Sequence, residues 1–135
     1  MELNIELREV GSSDEFKSIV LKKRAAISSK PPITRHYVAL CNKQEVAFVA
    51  IDVPPNKGYL CIYELLVEPK MRCRGLGSAV VRKCQEMARQ LGCKKICLIP
   101  RPIEAGTTEE QLVRWYTRLG FVQSKEQDSL LEIVF

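Results

Sequence analysis

The stretch Tyr59-Leu60-Cys61-Ile62-Tyr63-Glu64-Leu65-Leu66-Val67-Glu68-Pro69-Lys70-Met71-Arg72-Cys73-Arg74-Gly75-Leu76-Gly77-Ser78 changes character twice. Residues 59–67 are almost continuously apolar, as expected of a central strand covered on both faces, and Glu64 is the one acidic residue among them. A short basic turn follows. From Gly75 the period becomes helical: Leu76, Ala79, Val80, Cys84, Met87, Ala88 and Leu91 fall at helical spacing, and Gly92 supplies the stop. Residues 94–99 are a second apolar run. Strand, helix and strand in that order predict two parallel strands joined by a right-handed crossover.

Towards the N-terminus, residues 3–10 alternate apolar and polar through Leu3, Ile5 and Leu7, the mark of a half-buried strand. Gly11 breaks the chain, and Ser12 or Ser13 can cap a helix running to about residue 27, with Phe16, Ile19, Val20 and Ala26 on or near one face. Pro31-Pro32 excludes its continuation. Residues 36–41 and 45–53 are rich in β-formers and joined by Asn42-Lys43-Gln44, which reads as a hairpin, and Pro54-Pro55-Asn56-Lys57-Gly58 is a second turn. Towards the C-terminus, a loop carrying Pro100, Pro102 and Gly106 leads to a helix capped by Thr107 or Thr108. Glu109 and Glu110 lie in its first turn and Leu119-Gly120 at its end. Residues 121–125 and 130–135 then make a terminal hairpin. This order predicts an α+β fold in a single domain over residues 1–135, with helices covering a largely antiparallel sheet.

Composition narrows the function classes. No run approaches the roughly 20 apolar residues of a membrane helix, and the N-terminus lacks the basic start and apolar stretch of a signal peptide, so a cytoplasmic protein with no membrane partner is expected. Cys41, Cys61, Cys84 and Cys97 fall in strand-like or helical apolar positions, as reduced, buried small hydrophobes would. His36 is the only histidine and there is no C-x-x-C pair, so no metal is expected. The net charge of +5 suits an anionic ligand. The basic residues neither form one block nor alternate with aromatics, which makes a nucleic-acid-binding stripe the weaker reading.

The basic turn between strand and helix is the most informative feature. The first turn of a helix carries N–H groups without internal partners, and the helix dipole adds positive potential there. Gly75 and Gly77 remove side chains that would keep an anion away, while Arg72, Arg74 and Lys70 add charge. Together they describe a site for a phosphorylated ligand. A glycine pair at a helix start can equally permit close packing, so the loop alone does not decide the matter. A Walker loop is absent, and a dinucleotide fingerprint fails because Val80 replaces its third glycine and Gly92-Cys93-Lys94-Lys95 replaces its acidic residue.

Through Arg72-Cys73-Arg74-Gly75-Leu76-Gly77 the sequence resembles the GNAT superfamily of N-acetyltransferases, whose signature Arg/Gln-x-x-Gly-x-Gly/Ala it matches at every fixed position. Tyr116-Thr117-Arg118-Leu119-Gly120-Phe121 is similar to a second family pattern, Tyr-x-x-x-Gly-Phe, and residues 63–69 to the family's approach to the loop. The resemblance implies a GNAT-like fold: a mixed, mostly antiparallel sheet of about seven strands, a splayed parallel central pair and three to four helices. It implies acetyl-CoA as co-substrate and no metal. The backbone amides of Arg72, Cys73, Arg74, Gly75, Leu76, Gly77 and Ser78 would hold the pyrophosphate. The edge of Leu65, Leu66 and Val67 would pair with the pantetheine arm, beside a bulge that parts this strand from residues 94–99. A free strand N–H there would stabilise the oxyanion.

The same resemblance implies that Tyr116 protonates the departing thiolate, a sensible task for a phenol with a pKa of about 10. Its bland alternative is a core aromatic beside Leu112, Trp115 and Leu119. An attacking amine must lose a proton, which for a lysine-like amine near pH 7.4 costs about 4 kcal/mol. Glu64 is the first candidate base, Glu68 the second and His36 the third; for Glu64 the alternative is a partner to a nearby arginine. Two departures bear on the acceptor. Glu109 replaces an asparagine that many relatives use, and the loop 100–106 is long. Arg101 in that loop reads first as solvated and second as a contact to a substrate carboxylate. The expected reaction is direct acetyl transfer to a primary amine, a small molecule or a peptide, in a ternary complex. The alternative is a non-catalytic acyl-CoA-binding module. A homodimer is left open.

Overall fold

A computed structural model describes residues 3–72 and 74–135. Seven strands form one sheet: β1 (Ile5–Val10), β2 (Thr34–Cys41), β3 (Gln44–Asp52), β4 (Tyr59–Val67), β5 (Lys95–Leu98), β6 (Val122–Gln123) and β7 (Leu131–Val134). Their order across the sheet is β1-β2-β3-β4-β5-β7-β6, so the last strand inserts between β5 and β6. Every pairing is antiparallel except β4 with β5. The helices are α1 (Ile19–Ile27), α2 (Leu76–Gln90) and α3 (Glu109–Arg118). The mixed sheet and the parallel central pair are those expected from the sequence.

Local chemistry explains most boundaries. Asn42 and Lys43 both adopt positive φ (51° and 67°) in a two-residue loop, the geometry that closes a tight hairpin between β2 and β3. Gly92 at φ 77° lets Cys93 N–H donate to Ala88 O at 2.9 Å, which ends α2. Thr108 caps α3 through a reciprocal box with Gln111.

The core lies on both faces of the sheet. One cluster under α2 and α3 is built from Val49, Leu60, Ile96, Val80, Cys84 and Phe121, among others; a second, on the α1 face, from Phe16, Leu21, Val38 and Phe48. Burial pushes the Cys84 thiol up to about 12, in keeping with a packing role. The five cysteines among the described residues are free; Cys84 and Cys97 are buried, whereas Cys41, Cys61 and Cys93 are half-buried.

Three expectations are corrected. The helix anticipated from Ser12 to residue 27 is interrupted: a single 3-10 turn spans Ser13–Glu15, Phe16 is extended, and α1 starts afresh at Ile19. Glu45 causes the break by accepting from the N–H groups of Lys17 and Ser18 (2.8–3.0 Å), and Ser18 Oγ then caps Leu21. The restart rotates the helix, so Leu21 and Ala25 face the core while Ile19 and Ile27 are 71% and 74% exposed. Leu91, expected on the apolar face of α2, is its exposed C-cap. The terminal strands are also shorter than anticipated. No helix among the described residues is long and apolar enough to cross a membrane.

Candidate active site

The site begins with one extra residue in β4. Across the β3–β4 ladder Ala50 faces Glu64, yet its neighbour Ile51 faces Ile62, so Tyr63 has no opposite number. Such a bulge re-aims side chains. Consecutive residues Tyr63 and Glu64 both turn to the α1 face: Tyr63 packs against the core cluster on that face, and Glu64 Oε2 accepts from Arg24 Nε at 2.7 Å. On the other edge, β4 pairs with β5 only from Tyr59↔Lys95 to Ile62↔Leu98. Beyond Ile62 the two strands part. A narrow cavity of about 50 Å³ opens there, lined by Glu64, Leu65, Leu98, Pro100, Leu112 and Tyr116 among others.

The start of α2 forms the second half. Gly75 is the N-cap at φ 73°, no side chain caps the helix, and the first internal bond is Ala79 N–H to Gly75 O at 3.1 Å. Among the described residues nothing accepts from the N–H groups of Leu76, Gly77 and Ser78. Beside them runs a groove of about 350 Å³ walled by Leu65, Val67, Met71, Leu112 and Trp115. It meets the strand cavity along Leu65, Leu112 and Tyr116, which line both. Peptide donors at a positive helix end suit a pyrophosphate, and the apolar walls suit an aliphatic amide arm, so these residues fit coenzyme A.

The sequence-derived candidates are not all oriented as anticipated. Gly77 owes its lack of a side chain to packing: a Cβ there would stand 3.1 Å from Trp115 Cζ2 and 3.4 Å from Val67 Cγ2. The Arg72 N–H donates to Pro69 O at 3.4 Å, and its guanidinium turns back to Val67 O (3.2 Å from Nη2) and to Glu104. Arg74 is exposed and touches Met71 Sδ at 3.9 Å. Leu65 and Val67 line the groove, whereas the Leu66 side chain is buried on the α1 face. Cys73 lies outside the described residues.

Tyr116 is buried on α3, its ring 5.5 Å from that of Phe121 and 4.7 Å from that of Trp115. Burial pushes its phenol well above the ordinary tyrosine value, so it holds its proton at neutral pH. Of the candidate bases, Glu64 alone reaches the parted strands. Glu68 accepts from Ser18 Oγ and Lys70 N–H just past Val67 and does not line the cavity. His36 shares a cross-strand row with Ala50 and Glu64, but it is packed edge-on against Phe48, and burial lowers its pKa. An arginine beside Glu64 is the alternative read from the sequence, but neither Arg24 nor Glu104 could be singled out, because their partners are 40 and 32 positions away. Among the described residues no group of three or more His, Cys, Asp or Glu could hold a metal ion.

The sequence profile of the acetyltransferase (GNAT) domain matches residues 32–123, and the chain belongs to that family. An uncharacterized N-acetyltransferase of Methanocaldococcus jannaschii is 27% identical over 103 residues, covering 73% of this chain and 43% of that protein. The chain thus spans less than half the length of that curated relative. The E. coli protein YhhK, named for N-acetyl transfer and solved in solution with coenzyme A bound, has a TM-score of 0.66 at 18% identity over 100% of both chains. Spermidine N-acetyltransferase of Vibrio cholerae, a dodecamer, has a TM-score of 0.69 at 14% identity, covering 96% of this chain and 93% of its own. At such identities the likeness to solved structures concerns the fold.

Proposed function

We propose that residues 1–135 act as one acetyltransferase domain that moves an acetyl group from acetyl-CoA to a primary amine by direct attack in a ternary complex. The observation that carries this reading is the junction of the two cavities at Tyr116: a groove with an anion-binding end runs into the gap between β4 and β5. Bound acetyl-CoA supplies the activated acyl group as a thioester.

The chain's own residues do the rest. The N–H groups of Leu76, Gly77 and Ser78, with those of Cys73, Arg74 and Gly75, hold the pyrophosphate at the positive end of α2. Arg72 joins them by leaving Glu104. The free backbone edge of Leu65, Leu66 and Val67 pairs with the amide arm as an added strand would. A strand N–H at the gap stabilises charge developing on the acyl oxygen. Arg24 binds one oxygen of Glu64, leaving Oε1 to take the proton of the attacking amine. The Tyr116 hydroxyl, kept neutral by burial, gives its proton to the leaving sulfur.

The test is to mix the protein with acetyl-CoA and a panel of amino acids, polyamines and peptides and to follow thiol release. Amine-dependent release is the expected result. Silence across the panel, with coenzyme A still raising the melting temperature, would leave an acyl-CoA-binding module in its place.

A further inference from the structure

The charges around the parted strands leave one side chain unmatched. Glu64 is paired with Arg24, and Glu104 with Arg72. Arg101, three residues beyond β5, also lines the strand cavity, and among the described residues no carboxylate lies within ion-pair distance of it. Its guanidinium is nonetheless positioned: it stands 5.2 Å from the centroid of the Tyr63 ring. The Tyr63 hydroxyl is in turn 3.3 Å from Ser29 Oγ, which fixes the ring from the α1 side. Arg101, Tyr63 and Glu64 thus line the strand cavity and not the groove, whereas Trp115 and the start of α2 line the groove and not the cavity.

We propose that Arg101 selects the acceptor, and that the acceptor is a small amine that also bears a carboxylate, such as a free amino acid. This rests on the reading of the site as an acetyl-transfer centre. A planar guanidinium offers two parallel donors that match a carboxylate, a geometry no ammonium acceptor can use. An amine delivered to Glu64 with its carboxylate on Arg101 gives that guanidinium the partner it lacks among the described residues. A polyamine has no carboxylate to offer the guanidinium and would set a further positive charge beside it.

The test compares amino acids with their carboxamides and with spermidine, for the wild-type chain and for R101Q. A charge-assisted pair to carboxylate predicts kcat/KM at least about tenfold higher for the acids than for the amides, and R101Q should collapse that ratio towards one. R101K, which keeps the charge but not the fork, should retain part of it. Equal use of acid and amide, a preference for spermidine or for peptides without acidic groups, or an equal loss for both substrates in R101Q would each overturn the proposal. Should the chain show no turnover at all, which defeats only the reading of function, N-acetyl amino acids and their amides are titrated into the coenzyme A-loaded protein by calorimetry. The acids should bind about tenfold more tightly, and R101Q should remove the difference. Indifference to the carboxylate there would sink the inference by itself.

Discussion

Arg24 Nε and Glu64 Oε2 lie 2.7 Å apart, with side-chain exposures of 22% and 10%, so α1 is bound to the bulged strand by a half-buried ion pair at the edge of the cavity. The pair has a structural and a chemical side, and these separate experimentally. Replacing Arg24 by Met strands a carboxylate in a poorly hydrated place and should cost about 1–3 kcal/mol in urea unfolding. The double variant R24M/E64Q should recover part of that loss, because the stranded charge is gone.

Glu64→Gln alone addresses the chemistry. It keeps the shape of the side chain and an oxygen for Arg24, so the melting temperature should move little. The rate of acetyl transfer should drop by about 10²-fold if the carboxylate takes the amine's proton. An unchanged kcat/KM across the pH range would assign Glu64 to structure.

Tyr116→Phe preserves the ring contacts with Trp115 and Phe121 and removes only the hydroxyl. Thiol release should slow by about 10²-fold or more, with coenzyme A affinity nearly unchanged. The same variant makes a prediction about alkaline stability. The phenol's folded-state pKa is raised by burial, so folding holds a proton that the unfolded chain loses near pH 10. Stability is therefore full below that pH and declines as pH rises further, and Tyr116→Phe should make the decline shallower in chemical denaturation. Part of it should persist, because burial raises Tyr37 as well.

Trp115 is the only tryptophan in the chain and lines the groove beside Gly77. Coenzyme A should therefore change the intrinsic fluorescence as it binds. Gly77→Ala forces a methyl to within 3.1 Å of the indole and should destabilise the fold by about 1–3 kcal/mol while weakening the fluorescence response. A Gly77→Ala protein as stable and as responsive as wild type would show that the indole moves aside freely.

Arg72 and Glu104 connect the two loops that flank the groove. If Arg72 must release Glu104 to meet a phosphate, Glu104→Gln should tighten coenzyme A binding by about two- to fivefold at low salt, and less at high salt. Calorimetry decides the sign. Weaker binding in the variant would mean that Glu104 holds Arg72 where the ligand needs it.

The parts legible in the sequence are those governed by neighbours in the chain. The apolar run to Val67, the glycines at 75 and 92, and the threonine before α3 mark their elements through local hydrogen bonding and burial. What could not be read depends on distant residues. The apolar spacing from Phe16 to Ile27 runs on without a gap, yet Glu45 captures two N–H groups and divides the helix. The direction of Arg72 depends on a glutamate 32 positions away. The bulge at Tyr63 leaves no trace in an apolar run, where one residue more or less looks the same; only the family resemblance anticipated it.

That single surplus residue sets the outline of the interior opening. Removing Tyr63 would restore an even count between β3 and β4, leave Glu64 opposite Ala50 on the α1 face, and shift residues 64–67 by one position against β5. Substitutions along the walls can resize the opening, whereas a one-codon deletion would redraw it, by moving Leu65 and Val67 together to new heights against β5.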